Sequence, residues 1–298
     1  MSASLPKARP LDHLVLPVSS LELSRARYEK LGFTVAPDAR HPFGTENACV
    51  FFSDGTYLEP LAIAQREDCE AAALKGNEFI ARDQAFRFRQ GEEGFSALVL
   101  GTSDAAADRK QFQKSGILAG KNLKFSRSFK DAKGKEQEAS FELCFAADRR
   151  APDAFFFTCE RVKMPAFDRK FLTSHENGVI GLREVAASEP NPSDFQYLLQ
   201  AVLNQRDINA HSFGIELAAL NGNVAVYNKA GMKAWFNADV PTHFRGLRFR
   251  AFVLAVDDIV QTRKFLRRRK VGFSELASGR IVVDHEPGQG CIIAFDQG

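Results

Sequence analysis

Two polar side chains stand where a strand pattern calls for apolar ones. In Leu-Asp-His-Leu-Val-Leu-Pro-Val at 11–18, side chains alternate with a period of two, so Leu14, Leu16 and Val18 share one face and His13, Val15 and Pro17 the other. Residues 55–63 repeat the oddity: Glu59 falls between Tyr57 and Leu61 on one face, with Leu58 and Ala62 opposite. An imidazole and a carboxylate are the groups proteins use to hold divalent cations and to move protons near neutral pH. A carboxylate buried without a partner is costly, so something positive or hydrogen-donating must meet Glu59. His41 is the candidate to complete a site. It precedes Pro-Phe-Gly-Thr-Glu-Asn, where Pro42 and Gly44 mark a shaped loop or strand edge. Thr45 and Asn47 in that stretch offer a hydroxyl and an amide to orient a polar ligand group.

The elements that must position these groups are repeated along the chain. Residues 14–33 and 252–273 each begin with an apolar strand, continue through a polar pair (Ser19-Ser20, Asp257-Asp258) and a helix-length amphipathic segment, and stop at Gly-Phe. Ser19 with Glu22 fits a capping box, and Gly32 and Gly272 supply the left-handed residue that ends the helix. A third copy spans 95–117, with Ser103-Asp104 as cap and Gly116 as stop. A fainter fourth spans 179–203, with Pro192 in a first helical turn. Short alternating strands follow each helix, so the unit is β-α-β-β-β, four times over.

Four βαβββ modules in one chain resemble the vicinal oxygen chelate superfamily, which includes glyoxalase I, extradiol dioxygenases and bleomycin-resistance proteins. The first half resembles more narrowly the glyoxalase-like domain group, through LDHLVLPV (11–18), LGF (31–33), HPFGTEN (41–47), YLEPL (57–61) and HENG (175–178). The resemblance implies an α+β fold of four modules paired into two half-open barrels. The first pair would span 8–165 and carry the site, and the second would span 178–298, with a charged, Pro-interrupted linker at 163–177. It also implies that ligands sit on the first and last strands of a module, facing a cavity. His13 and Glu59 match such positions, with His41 as a third metal ligand and Glu59 as ligand or catalytic base. The rest of the pattern is missing. Ala97 and Ala251 stand at the places of His13 in modules two and four, and Cys159 falls near that of Glu59 in module two.

Three functions follow. The leading one is a glyoxalase-like lyase, isomerase or dioxygenase that holds a divalent metal (Zn, Fe, Mn or Ni) and acts on a small oxygenated molecule. A second is a metal-free small-molecule binder of the bleomycin-resistance kind, with Phe43, Phe51 and Phe155 to Phe157 as available walls. The third is a degenerate scaffold serving dimerisation, in which His13 and Glu59 merely satisfy each other. His175 reads as a turn residue and His211, His243 and His285 as structural or surface groups, because they share no spacing.

The bulk numbers fit a protein of about two domains: 298 residues, 45% hydrophobic and 26% charged. A net charge of +3 gives no argument for a nucleic-acid partner. No run reaches the roughly 20 apolar residues needed to cross a bilayer, and residues 1–10 lack a signal-peptide core. Five cysteines without a CxxC pair read as reduced thiols of a cytoplasmic protein.

Overall fold

Each repeat becomes a strand, a covering helix and a short run of strands. The structure, a computed structural model, describes residues 7–130, 136–164 and 170–298. The first module comprises β1 (Leu11–Pro17), α1 (Leu21–Lys30), β2 (Ala39–Arg40), β3 (Thr45–Asn47), β4 (Val50–Phe51) and β5 (Tyr57–Ile63). Strands β3 and β4 pair in succession along β5, so three strand positions follow the helix. Two helices outside the repeat come next, α2 (Arg66–Leu74) and α3 (Glu78–Gln90). The second module is β6 (Ala97–Thr102), α4 (Ala105–Lys114), β7 (Leu118–Lys130), β8 (Glu136–Ala146) and β9 (Phe155–Lys163). The third has β10 (Val179–Ser188), a 3-10 turn at Pro192–Phe195, α5 (Gln196–Leu203), β11 (Asn209–His211), β12 (Gly214–Ala218) and β13 (Asn223–Tyr227), then an extra helix α6 (Lys229–Phe236). The fourth is β14 (Arg248–Val256), α7 (Ile259–Arg268), β15 (Phe273–Glu275), β16 (Ile281–Val283) and β17 (Ile292–Gln297).

The modules pair into two curled, half-open sheets, giving the expected α+β class. In the first sheet β1 and β6 are antiparallel central neighbours, with β5 parallel beside β1 and β9 parallel beside β6. In the second, β10 and β14 take the centre, flanked by β13 and β17 in the same senses. His13 pairs with Val99 and Val15 with Ala97, a local two-fold that makes Ala97 the counterpart of His13. The same reasoning makes Ala251 the counterpart of Glu184. Glu184 in turn stands where His13 does, each opposite the first residue of the parallel strand beside it. Carried to the flanking strands, the register puts Phe157, Ala225 and Ala294 at the place of Glu59. Cys159 lies two residues further on, opposite Gly101, which corrects the expected alignment.

Helix ends follow the sequence in part. Asp104 and Asp258 cap α4 and α7. The cap of α1 is Ser20, whose hydroxyl accepts from the Leu23 N–H, while Ser19 donates instead to Glu93. The expected Ser19 capping box is therefore not formed. At the end of α7 the left-handed residue is Lys270 (φ +55°), not Gly272. Gly32 does take the left-handed conformation, and a Cβ there would lie 2.5 Å from the Phe265 ring of α7.

Alternation along the strands sorts side chains into two environments. Leu14, Leu16, Leu98 and Phe156 of the first sheet join Val185, Phe252, Leu254 and Phe295 of the second in one buried cluster that also includes residues of α1, α4, α5 and α7. The helix-covered faces of both sheets thus share a core. Each concave face has its own smaller cluster. No helix among the described residues is long and apolar enough to cross a membrane. The expected linker lies partly outside the described residues. The described portion has a 3-10 turn at Lys170–Leu172, and His175 accepts from the Thr34 N–H at 3.0 Å and lies 2.9 Å from the Phe51 carbonyl.

Candidate functional site

Because β1 and β5 run parallel with His13 opposite Tyr57 and Val15 opposite Glu59, these side chains face one way, into the hollow of the first sheet. His13 Nε2 lies 3.4 Å from Glu59 Oε2. The imidazole stacks on Tyr57 with ring centroids 4.3 Å apart and meets the edge of Phe157 at 5.9 Å. Its Nδ1 faces Asp12 Oδ1 at 2.6 Å, and Arg161 reaches the other Asp12 oxygen at 2.8 Å. Strand neighbours ordinarily point to opposite faces. A register shift between Leu11 and His13 brings Asp12 round to its neighbour's ring.

His41 enters from the turn between β2 and β3, which is closed by its backbone N–H donating to the Thr45 carbonyl at 2.8 Å. Its Nδ1 sits 3.0 Å from Thr45 Oγ1, its Nε2 3.6 Å from Glu59 Oε1, and its ring stacks on Phe43 at 5.0 Å. Asn47 donates to Glu59 Oε1 at 2.6 Å. The structure thus gathers His13, His41, Thr45, Asn47 and Glu59 in one place. It gives Thr45 and Asn47 a positioning role, since their polar groups are spent on His41 and Glu59.

Charge is distributed unevenly among the three titratable groups. Burial alone would lift the Glu59 carboxyl, yet the hydrogen bond and charge of His13, the neighbouring His41 and the Asn47 amide hold it down to about 2. Burial works against a charged His13, but Asp12 and Glu59 outweigh it and raise its pKa. Burial dominates at His41 and pushes it down to about 4; Glu59 opposes this, and the charges of Arg127 and His13 reinforce it. The shifts favour a charged pair of His13 and Glu59 beside a neutral His41.

Among the described residues, no group of three or more His, Cys, Asp and Glu side chains is placed to hold a metal ion. The expected set of His13, His41 and Glu59 is assembled but not arranged as a centre. Both Glu59 oxygens are committed, one to Asn47 and one to charged His13, and His41 Nε2 lies 3.5 Å from the same Asn47 amide nitrogen. The donor types suit a divalent ion, and Asn47 now occupies one of the oxygens that would hold it.

Around these groups lies a cavity of about 30 Å³ whose walls are mostly aromatic. Phe43 and Phe157 line it as expected, joined by Tyr57, Phe79, Phe125 and Phe141. Phe51 packs on Tyr57, Phe155 stacks on Phe145, and Phe156 points to the helix side, so these three do not form the wall. Sequence reasoning missed Asp12, Phe79 and Arg127. Only the last had a usable signal, the alternation Leu123-Phe125-Arg127. Cys159 lines the hollow, but burial raises its thiol well above the usual range and leaves it unreactive.

Comparison with known proteins places these features among relatives. The sequence model of a glyoxalase-like domain matches residues 11–203, covering the first sheet and the opening strand and helix of the third module. No curated protein sequence matches. A solved hypothetical protein from Staphylococcus aureus superposes with TM-score 0.66 at 13% identity, over 97% of this chain and 99% of that one. A variant of 4-hydroxymandelate synthase from Streptomyces coelicolor superposes with TM-score 0.60 at 12% identity, over 97% and 92%. A fusion of a xylose isomerase-like TIM barrel with 4-hydroxyphenylpyruvate dioxygenase gives 0.52 at 13% identity, over 99% of this chain and 50% of that one. At these identities the likeness is one of fold.

Proposed function

This chain belongs to the glyoxalase-like domain family, and from that premise we propose that it is an enzyme acting on a small oxygenated molecule by proton transfer in the first sheet's hollow. The observation that carries the reading is the buried pair of His13 and Glu59, 3.4 Å apart, with the far side of the imidazole fixed by Asp12. A protonated imidazole beside an ionised carboxylate is one acid and one base within reach of a single bound group. In the proposed step a substrate carbonyl oxygen takes the proton of His13 while Glu59 removes a proton from the adjacent carbon, giving an enol. Return of the protons in the other order yields an isomerised product. Glu59 at rest is a weak base because His13 is charged. Moving that proton to substrate removes the charge, so the carboxylate gains basicity as the step proceeds. Asn47 orients Glu59, and the aromatic walls exclude water.

Proton exchange tests this directly. The full chain, incubated in D2O with a panel of small 2-oxo acids and hydroxyketones, is expected to accelerate exchange of the adjacent C–H at least about a hundredfold over buffer. Glu59→Gln and His13→Ala should each lose that acceleration. If no panel member exchanges faster than in buffer, the proton-transfer reading falls.

A divalent ion is the second reading, favoured by the two imidazoles that both present Nε2 to one carboxylate. His13, His41 and Glu59 would hold it once Asn47 released its bond, and its Lewis acidity would stabilise an oxyanion. Elemental analysis of protein purified without chelator would then find about one equivalent, lost in His13→Ala.

A further inference from the structure

We propose that the hollow selects a substrate carrying a single carboxylate, and that Arg127 is the residue that recognises it; the inference rests on reading the hollow as the substrate site. Arg127 lies on β7, lines the same cavity as His13, His41 and Glu59, and stands over the Phe141 ring with its guanidinium carbon 5.6 Å from the centroid. Its Nη1 is shut off from solvent and has no hydrogen-bond partner among the described residues. The carboxylates nearby are already engaged. Asp12 is shared by His13 and Arg161, and Glu59 by His13 and Asn47. A cationic donor left unpaired on the wall of a cavity is costly for the fold, and a ligand anion would satisfy it.

The chemistry of that anion follows from the surroundings. A guanidinium fork matches a planar carboxylate in two parallel hydrogen bonds. The single unpaired guanidinium nitrogen on the wall calls for one carboxylate. The remaining walls are mostly aromatic, with Leu143 and Cys159 between the rings, so the body of the ligand is short, in keeping with a cavity of about 30 Å³. The substrate class is therefore an oxygenated monocarboxylate, with its carboxylate on Arg127 and its oxygen-bearing carbon toward His13 and Glu59.

Calorimetric binding to the full chain tests this, with glycolate, lactate and pyruvate each compared with its primary amide. The carboxylates are expected to bind at least about tenfold more tightly than the amides. Arg127→Gln should bring each pair within about twofold, and Arg127→Lys should keep part of the preference, because a point charge survives but the fork does not. The proposal is overturned if no carboxylate binds at concentrations on the order of 10 mM, if amides bind as well as acids, or if Arg127→Gln keeps the preference. Glu59→Gln separates the two readings. It should abolish proton exchange and leave the preference for acids intact, whereas exchange that treats neutral ketones and oxo acids alike would refute the carboxylate specificity alone.

Discussion

Protonation at three side chains gives the hollow a pH signature of its own. The carboxyl of Glu59 is held from 4.5 down to about 2, so its stabilising effect is complete above pH 4.5 and is lost as pH falls toward 2. His13 is raised above 6.5, and its contribution is complete below that value and lost as pH rises through the raised pKa. His41, pushed down to about 4, has the opposite sign. Its unfolded imidazole takes a proton below 6.5 that the folded one refuses until about 4, so acidification over that window costs stability. The three together favour the folded state most near pH 6.5. NMR of labelled imidazoles is expected to find His41 neutral down to about 4 and His13 still charged above 6.5. In thermal melts, Glu59→Gln should lose the wild-type decline between pH 4.5 and 2 that Glu59 causes. A His41 titrating at its ordinary value would contradict the burial on which the site depends. His13 and Glu59 were legible in the sequence because each interrupts an apolar face of known period. Asp12 was not, since a register shift overrides alternation there, and Arg127 had only its alternation with Leu123 and Phe125 to set it apart from the other cations of 121–130.

Elements were legible wherever a strand, a cap and a glycine stop coincided, and less so where packing overrides them. The α7 end shows the limit: Gly272 follows the repeat, yet the left-handed turn falls on Lys270, because the helix gives out two residues earlier. A residue with a Cβ is strained in that conformation by roughly 1 kcal/mol. Lys270→Gly is therefore expected to stabilise the protein by about 0.5–1 kcal/mol, read as a shift of the urea midpoint with unchanged slope. Helices α2 and α3 escaped notice for a different reason. The stripe Phe79, Ile80 and Phe86 is interrupted by Asp83 and Arg87, which are buried as an ion pair at 2.8 Å and break the helical period. Yet α3 supplies Phe79, the part of the wall that comes from outside both modules. Phe79→Ala should destabilise by about 3–4 kcal/mol, and the enlarged hollow should gain affinity for bulkier carboxylates at the expense of the smallest. Equal loss for every ligand would show that Phe79 only supports the fold.

On the scale of the whole molecule, two sheets of one plan have different fillings. At the counterpart of His13 the second sheet has Glu184, which is joined to Arg280 at 3.0 Å, and Arg280 reaches Asp296 at 2.9 Å. Ala225 and Ala294 stand in place of Glu59, and α6 packs Met232 and Phe236 into the concave cluster. That hollow is plugged by its own side chains. Arg280→Ala leaves Glu184 and Asp296 without their shared cation, and a loss of about 3–5 kcal/mol is expected, measured by denaturant titration, with carboxylate binding in the first sheet unaltered where the protein remains folded. Module number was legible from the repeats, and their pairing was implied by the resemblance to the vicinal oxygen chelate superfamily. The plug was not, because its members come from β10, β16's approach and β17, far apart in sequence.

The contact between Gly32 and Phe265 fixes how closely the two halves meet. With backbone set against ring, there is no room at this seam even for one methyl group. Phe125, Arg127 and Phe141 of the hollow's wall lie on β7 and β8, where β8 is paired with β9 as well and α4 packs on both strands. The hollow lies on the opposite face of the first sheet from the core that the halves share, so a cross-link between the halves should leave carboxylate binding there untouched.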